Sequence, residues 1–161
     1  MKKIIAFAAV FALSGCGLQP LYSGGSKGAV ASTLGAVTVE PIQGKSGWLM
    51  RNALNDRLGS HAGNVARFRL VVARDDQIEG FGVRTDDTVT RERRTLRARY
   101  QLVSVETGET VLDATAGSDA GIDVVSSEYA TIAGENSALE NLTQKVADQI
   151  VTRLSLYARG E

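Results

Sequence analysis

The chain has 161 residues, 43% of them hydrophobic and 22% charged, enough for one domain with a substantial core and inconsistent with disorder throughout. Eighteen basic and eighteen acidic side chains cancel, so bulk charge gives no general pull toward nucleic acid, and no nucleic-acid partner is expected. Charge is nevertheless segregated: nine basic residues lie between Arg67 and Arg99, whereas residues 106 to 148 carry nine acids and Lys145 alone as a base.

The first residues have the pattern of an export leader, with Lys2 and Lys3 followed by the apolar run Ile4 to Leu13. Ten apolar residues are too few to cross a bilayer, which needs about 20. Leu13-Ser14-Gly15-Cys16 then resembles the lipobox of bacterial lipoproteins, in which the leader (1–15) is removed and Cys16 becomes the acylated N-terminus. As the chain's single cysteine, Cys16 cannot form an internal disulfide. Triple acylation would hold the protein on its membrane far more firmly than the marginal grip of one myristoyl chain. Gly17, where aspartate would stand in a retained lipoprotein, implies by the same resemblance delivery to the outer membrane.

Residues 17–33 are rich in glycine and serine and read, with Cys16, as a lipidated flexible tether (16–33), with the folded domain over 34–161. Leu34 to Ile42 reads as a first strand stopped by Pro41, which cannot donate to a sheet ladder. Ser46 is a plausible N-cap for a helix ending at Leu58 before Gly59, with Met50, Ala53, Leu54 and Leu58 along one side.

From Ala66 onward Phe68, Leu70 and Val72 alternate with Arg67, Arg69 and Val71. The stretch Thr88 to Val105 repeats the pattern at greater length: Leu96, Ala98, Tyr100 and Leu102 form an oily face, and Arg91, Arg93, Thr95, Arg97, Arg99 and Gln101 a basic one. Asp86-Asp87 would turn these runs into a long hairpin, placing Arg67 and Arg69 on the face of Arg97 and Arg99. Gly80 and Gly82 suggest a bulge or twist in the earlier strand. Glu106-Thr107-Gly108-Glu109 marks another turn, and Thr110 to Val124 a third strand.

The final segment is the clearest helix, with Leu139, Leu142, Val146, Ile150, Leu154 and Tyr157 at spacings of three and four, over about 133–158 with an earlier turn from Ser127. The expected order is β-α-β-β-β-α: an α+β domain with two helices packed on one face of a four-stranded, largely antiparallel sheet.

The lipobox running into Cys16-Gly17-Leu18-Gln19-Pro20-Leu21-Tyr22, the arginine-rich strand, Ser127-Glu128-Tyr129-Ala130, and Ala147-Asp148-Gln149-Ile150-Val151-Thr152-Arg153-Leu154 together resemble the LPS-assembly lipoprotein (LptE) family. That resemblance implies a non-enzymatic outer-membrane lipoprotein with no cofactor. It also implies a one-to-one partnership with the LptD β-barrel, in whose lumen the domain sits, and a role in bringing lipopolysaccharide to the outer leaflet. The alternative is an envelope lipoprotein scaffold or transport-complex subunit with another partner.

Catalytic chemistry has little to draw on. His61 is the single histidine and the one thiol is committed to the anchor. Asp75-Asp76 and Asp86-Asp87 lack the spacing of a calcium loop and read as turn acids, and Gly80-Phe81-Gly82 is too short a glycine pattern for a phosphate loop, so no metal is expected. The candidate site is therefore Arg67, Arg69, Arg91, Arg93, Arg97 and Arg99. Their guanidinium groups match phosphate in fork geometry and lipid A carries phosphates, so the set reads either as a lipopolysaccharide or partner surface or as a solvated face balanced by acids such as Glu92 and Asp113.

Overall fold

A computed structural model describes residues 28–59, 65–83 and 89–160. The elements are α1 (Ala29–Gly35), β1 (Val37–Val39), α2 (Gly44–Leu58), β2 (Phe68–Val83), β3 (Val89–Ser104), β4 (Thr110–Asp123) and α3 (Glu128–Arg159). The strands form one sheet in the order β1-β2-β3-β4, with β1 parallel to β2 and the other pairs antiparallel. This is an α+β domain with its helices on one face of the sheet.

The long strands follow from period-two patterning. Leu96, Ala98, Tyr100 and Leu102 of β3 are all buried, and their cross-strand partners Leu70 and Val72 on β2 and Ala116 on β4 are buried beside them. The β2–β3 register runs without a shift from Phe68↔Ser104 to Val83↔Val89. Gly80 and Gly82 therefore do not produce a bulge. Gly82 takes a left-handed φ of 77° and is skipped in the pairing, its carbonyl accepting from the Thr90 hydroxyl at 2.7 Å, but the offset is the same on either side; the shift in register lies instead between β3 and β4 at Leu102/Val103. Asp86-Asp87 lies outside the described residues.

Three other expectations are corrected. The strand read over Leu34 to Ile42 is only Val37–Val39, and Ala29–Gly35, partly assigned to the tether, is a helix. Val30 and Leu34 lie four apart, a helical spacing, and both are buried as α1 packs on α3. The domain thus has three helices rather than two, the added one packing on the other two helices. Ser46 is not an N-cap: Gln43 holds that position, and Ser46 is buried within α2. Gly47, one turn in, packs on the preceding segment, where an added Cβ would lie 2.6 Å from the Ile42 carbonyl oxygen. Gly59 does stop α2, with a left-handed φ of 62°.

Helix α3 is continuous from Glu128 to Arg159, and the Ser127 side chain accepts a hydrogen bond from Ala130 N–H at its start. It buries Leu139, Leu142, Val146, Ile150 and Leu154. α2 runs beside it, tied by Arg57 to Asp148 and by Lys45 to Asn136 at 2.9 Å.

Toward the β2–β3 turn the inner face changes character. Arg94 donates through Nε and Nη2 to the two carboxylate oxygens of Asp76 at 2.8 and 2.7 Å, and through Nη1 to the Glu135 carbonyl at 2.8 Å. Both side chains are nearly buried, so one guanidinium fastens β2, β3 and α3 together, and its pKa is raised chiefly by the bond to Asp76. Removing one partner of such a pair leaves the other charge uncompensated. Arg94→Ala should lower unfolding stability by about 3 kcal/mol, whereas Arg94→Met combined with Asp76→Leu should cost much less, as measured by chemical denaturation.

Candidate functional site

The face of the sheet turned away from the helices is built from the odd-numbered residues of β2, β3 and β4. The structure brings all six predicted arginines to that side, spread over its whole length. Arg69 stands opposite Val103 near one end, and Arg91 stands opposite Phe81 near the other. Between them the rows read Asp75·Arg97·Gly117, Ala73·Arg99·Thr115, Gln77·Thr95·Asp119 and Glu79·Arg93·Gly121. The face is therefore a lattice of alternating sign rather than a patch of one sign. Cross-strand acids, invisible until the register is fixed, sit beside the arginines.

The local pairings differ from one arginine to the next. Arg99 donates from Nη2 and Nε to Asp113 at 2.8 and 3.1 Å, and Gln101 donates to the same carboxylate at 2.8 Å. These donors hold the Asp113 carboxyl at about 2, well below the usual carboxylate range. Arg91 pairs with Asp123 at 2.9 Å and Arg69 with Glu40 at 3.2 Å. Arg67 and Arg93 lie over aromatic rings, 5.6 Å from the Phe68 centroid and 5.1 Å from the Phe81 centroid. Arg97 has no ion pair among the described residues. Its chain lies across Gly117, where an added Cβ would come 3.0 Å from Nη1. Arg97 and Arg99 border a depression of about 380 Å³ over Ala73 and Thr115, whose short side chains leave the space open.

The adjacent acids Asp75 and Asp76 point to opposite faces, Asp75 accepting from Gln77 at 2.9 Å and Asp76 from Arg94, so they do not converge on a cation. Among the described residues no group of three His, Cys, Asp or Glu side chains could hold a metal, and no helix is long and apolar enough to cross a membrane. Cys16 and His61 lie outside the described residues.

Arg94 is the functional-looking charge that the alternation argument missed. Its signal was present in the parity, because Arg94 shares the even-numbered face with Leu96 and Ala98, and an arginine on an oily face needs a buried partner. Gln149 was missed as well: its amide accepts from Gly117 N–H at 3.1 Å and donates to Gly117 O at 3.2 Å. Nothing in the helical pattern of α3 marks that role.

A family model described as LptE, lipopolysaccharide-assembly, matches residues 34–154, from the last turn of α1 into the last turns of α3. The chain belongs to the LptE family. LptE-family proteins are envelope-associated lipoproteins that are not enzymes, with a role in lipopolysaccharide assembly. Among solved structures, a protein of Caulobacter crescentus CB15 assigned as a lipoprotein is 24% identical, with a TM-score of 0.69 over 83% of this chain and 97% of that one. The rare lipoprotein B of Shewanella oneidensis is 10% identical, with a TM-score of 0.60 over 77% and 95%. The minor lipoprotein of Acinetobacter baumannii is 13% identical, with a TM-score of 0.60 over 75% and 90%. At these identities the likeness is one of fold. No curated protein matches the sequence.

The Asp113 cluster gives this LptE-family domain a pH signature. A carboxyl whose folded pKa is depressed contributes stability that is fully present above its unfolded value, near 4, and is lost as pH falls through about 2. NMR titration of the Asp113 side chain should give a midpoint near 2. Arg99→Gln should return that midpoint toward the ordinary value of about 3.9.

Proposed function

We propose that this protein is an outer-membrane lipoprotein anchored through acylated Cys16, and that its domain sits in the lumen of an LptD β-barrel as a one-to-one partner assisting lipopolysaccharide assembly. The match to the LptE family over residues 34–154 carries the reading. Physical features agree with it. A domain of about 145 residues has a radius of gyration near 15 Å by the usual scaling, small enough for a very wide barrel. Its outer sheet face is polar along its length, with charges of both signs, as a water-filled lumen lined by polar side chains requires.

Direct lipopolysaccharide binding is assigned to the arginine face, centred on Arg97 and Arg99. Among the described residues Arg97 has no carboxylate to release first, and the depression beside it has room for a phosphate group. Charge-assisted bonds there would each contribute about 1.5 to 3 kcal/mol where water is excluded. The interleaved acids favour a second reading, in which the same face meets protein rather than lipid.

The anchor is tested by mass spectrometry of membrane-extracted protein, which should show acylated Cys16 as the N-terminus. A mature form retaining residues 1–15 would refute it.

Partner and ligand are tested together by co-expression with the LptD barrel of the same genome, purification in mild detergent and limited proteolysis. The complex should form at one to one, and the domain should be cleaved much more slowly inside it than alone. Arg97→Gln with Arg99→Gln, which removes both charges without setting an acid beside Asp75 or Asp113, should lower the melting temperature only slightly and weaken lipopolysaccharide binding about tenfold or more, the loss of one good charge-assisted contact. Unchanged lipid binding with weakened barrel binding would favour the second reading, and failure to co-purify would point to a different envelope partner.

A further inference from the structure

Strand β4 is an edge of the sheet, and its pairing with β3 decides which backbone groups face outward. Even-numbered residues bond across the ladder, as Val124 N–H does to the Thr90 carbonyl at 2.9 Å, so the N–H and C=O of the odd-numbered residues point away from the sheet. At Gly117 both outward groups are taken by the Gln149 amide, at 3.1 and 3.2 Å. A side chain of α3 thus stands in for one residue of a neighbouring strand. Beyond it Asp119, Gly121 and Asp123 present the same groups with no such cap among the described residues. A groove of about 490 Å³ runs alongside, between Ala120 and Gly121 of β4 and the α3 face from Gly134, Ser137, Ala138 and Asn141 on to Gln144, Lys145 and Asp148, where one base and one acid offset each other. Beside residues 120 and 121 its helix wall is made of the small side chains of Gly134, Ser137 and Ala138, and a Cβ at Gly121 would meet nothing within 4 Å.

We propose that residues 119–123 of β4 are a strand-addition site for an extended, basic segment of a partner protein. Such additions draw affinity from main-chain bonds and specificity from alternate side chains. Charge decides the occupant. Antiparallel pairing with a second copy about Gly121 would set Asp119 of each chain opposite Asp123 of the other, and like charges directly opposite are destabilising. Asp119 has no basic partner among the described residues, and Asp123 has only the exposed pair with Arg91. A strand with lysine or arginine at two positions four residues apart would meet one carboxylate with each. This inference concerns the β4 edge and does not depend on the arginine face.

The test uses the full chain in detergent and the capped peptide Thr-Lys-Val-Thr-Val-Lys-Thr, followed by fluorescence anisotropy and amide exchange. The peptide should bind and slow exchange at Asp119, Gly121 and Asp123. Replacing both lysines by glutamate should weaken binding tenfold or more. Gly121→Pro should do the same, because it deletes an outward donor and leaves the β3–β4 bonds intact. Gln149→Ala should strengthen binding, since it frees Gly117 and lengthens the edge. Ala138→Phe, which fills the groove from the helix side, should block the peptide without touching the sheet. Equal binding of the glutamate peptide would overturn the proposal, as would peptide-induced protection unaffected by either Gly121→Pro or Ala138→Phe. So would slow exchange at Asp119 and Gly121 before peptide is added, which would mean that the edge is already covered, or dimerisation through this edge in sedimentation.

Discussion

The architecture depends on one geometric constraint: a long strand with an oily face must be covered along that face. A 16-residue strand extends about 53 Å at 3.3 Å per residue, whereas a helix advances only 1.5 Å per residue. Covering β3 therefore takes a helix of about twice its residue count, and α3, with 32 residues, is about 48 Å long. The other helix packed beside it, α2, has 15 residues and reaches only about 22 Å. It shields the half of the sheet nearest β1 and stops. Past the start of α2 no described helix covers the outer margin of β2's inner face, and Ile78 is 41% exposed although it has the inward parity of Leu70 and Val72. The same shortage of cover explains why an ion pair, Arg94–Asp76, occupies a place that would hold leucines nearer the base. Charges at the margin of a core keep partial hydration, and a bidentate guanidinium satisfies both carboxylate oxygens and a helix carbonyl together.

Much of this was legible in the sequence because it is written in periods. The alternation over 88 to 105 set β3 and its faces, the apolar residues of 139 to 157 set α3, and Gly59 and Gly108 sit at the ends they suggested. What escaped was short or relational. Helix α1 has seven residues and two apolar anchors, too few for a periodic signal among glycines and serines. The acids that break up the arginine face lie on other strands, and only the register places Asp75 beside Arg97 and Asp113 within reach of Arg99. Counting like charges along one strand therefore overstated the positive potential of the face. Gln149 marks the same limit, for its role depends on where α3 crosses the edge of β4.

The alternating lattice has a consequence for how this face meets any ligand. Each guanidinium already bound to a carboxylate must give up that partner before it can take a phosphate, and exposed pairs of this kind contribute only about 0.2 to 1 kcal/mol. Exchange is thus inexpensive at the single contact of Arg91, harder at Arg99, which holds Asp113 through two bonds, and, among the described residues, not needed at Arg97. Balanced sign also removes the long-range field that would draw polyanions indiscriminately to the surface. Selectivity then rests on short-range fit in the depression over Ala73 and Thr115 rather than on net attraction.

The two edges of the sheet are handled by different means, and the difference follows from what lies next to each. On the β1 side the chain itself shortens the exposed edge: β1 pairs with only Phe68 to Leu70, Pro41 ends it, and Arg74 then bonds the Gln43 carbonyl at 3.1 Å. On the β4 side no further strand follows, because the chain leaves at Asp123 to begin α3. An edge of 14 residues invites pairing with other chains. Gln149 blocks it near the middle, and outward carboxylates at Asp113, Asp119 and Asp123 discourage self-pairing. Charge repels a second copy while leaving the backbone groups beyond Gly117 available. An edge guarded by charge alone remains open to a strand of the opposite charge, whereas an edge guarded by proline or by a side-chain cap is closed to every strand.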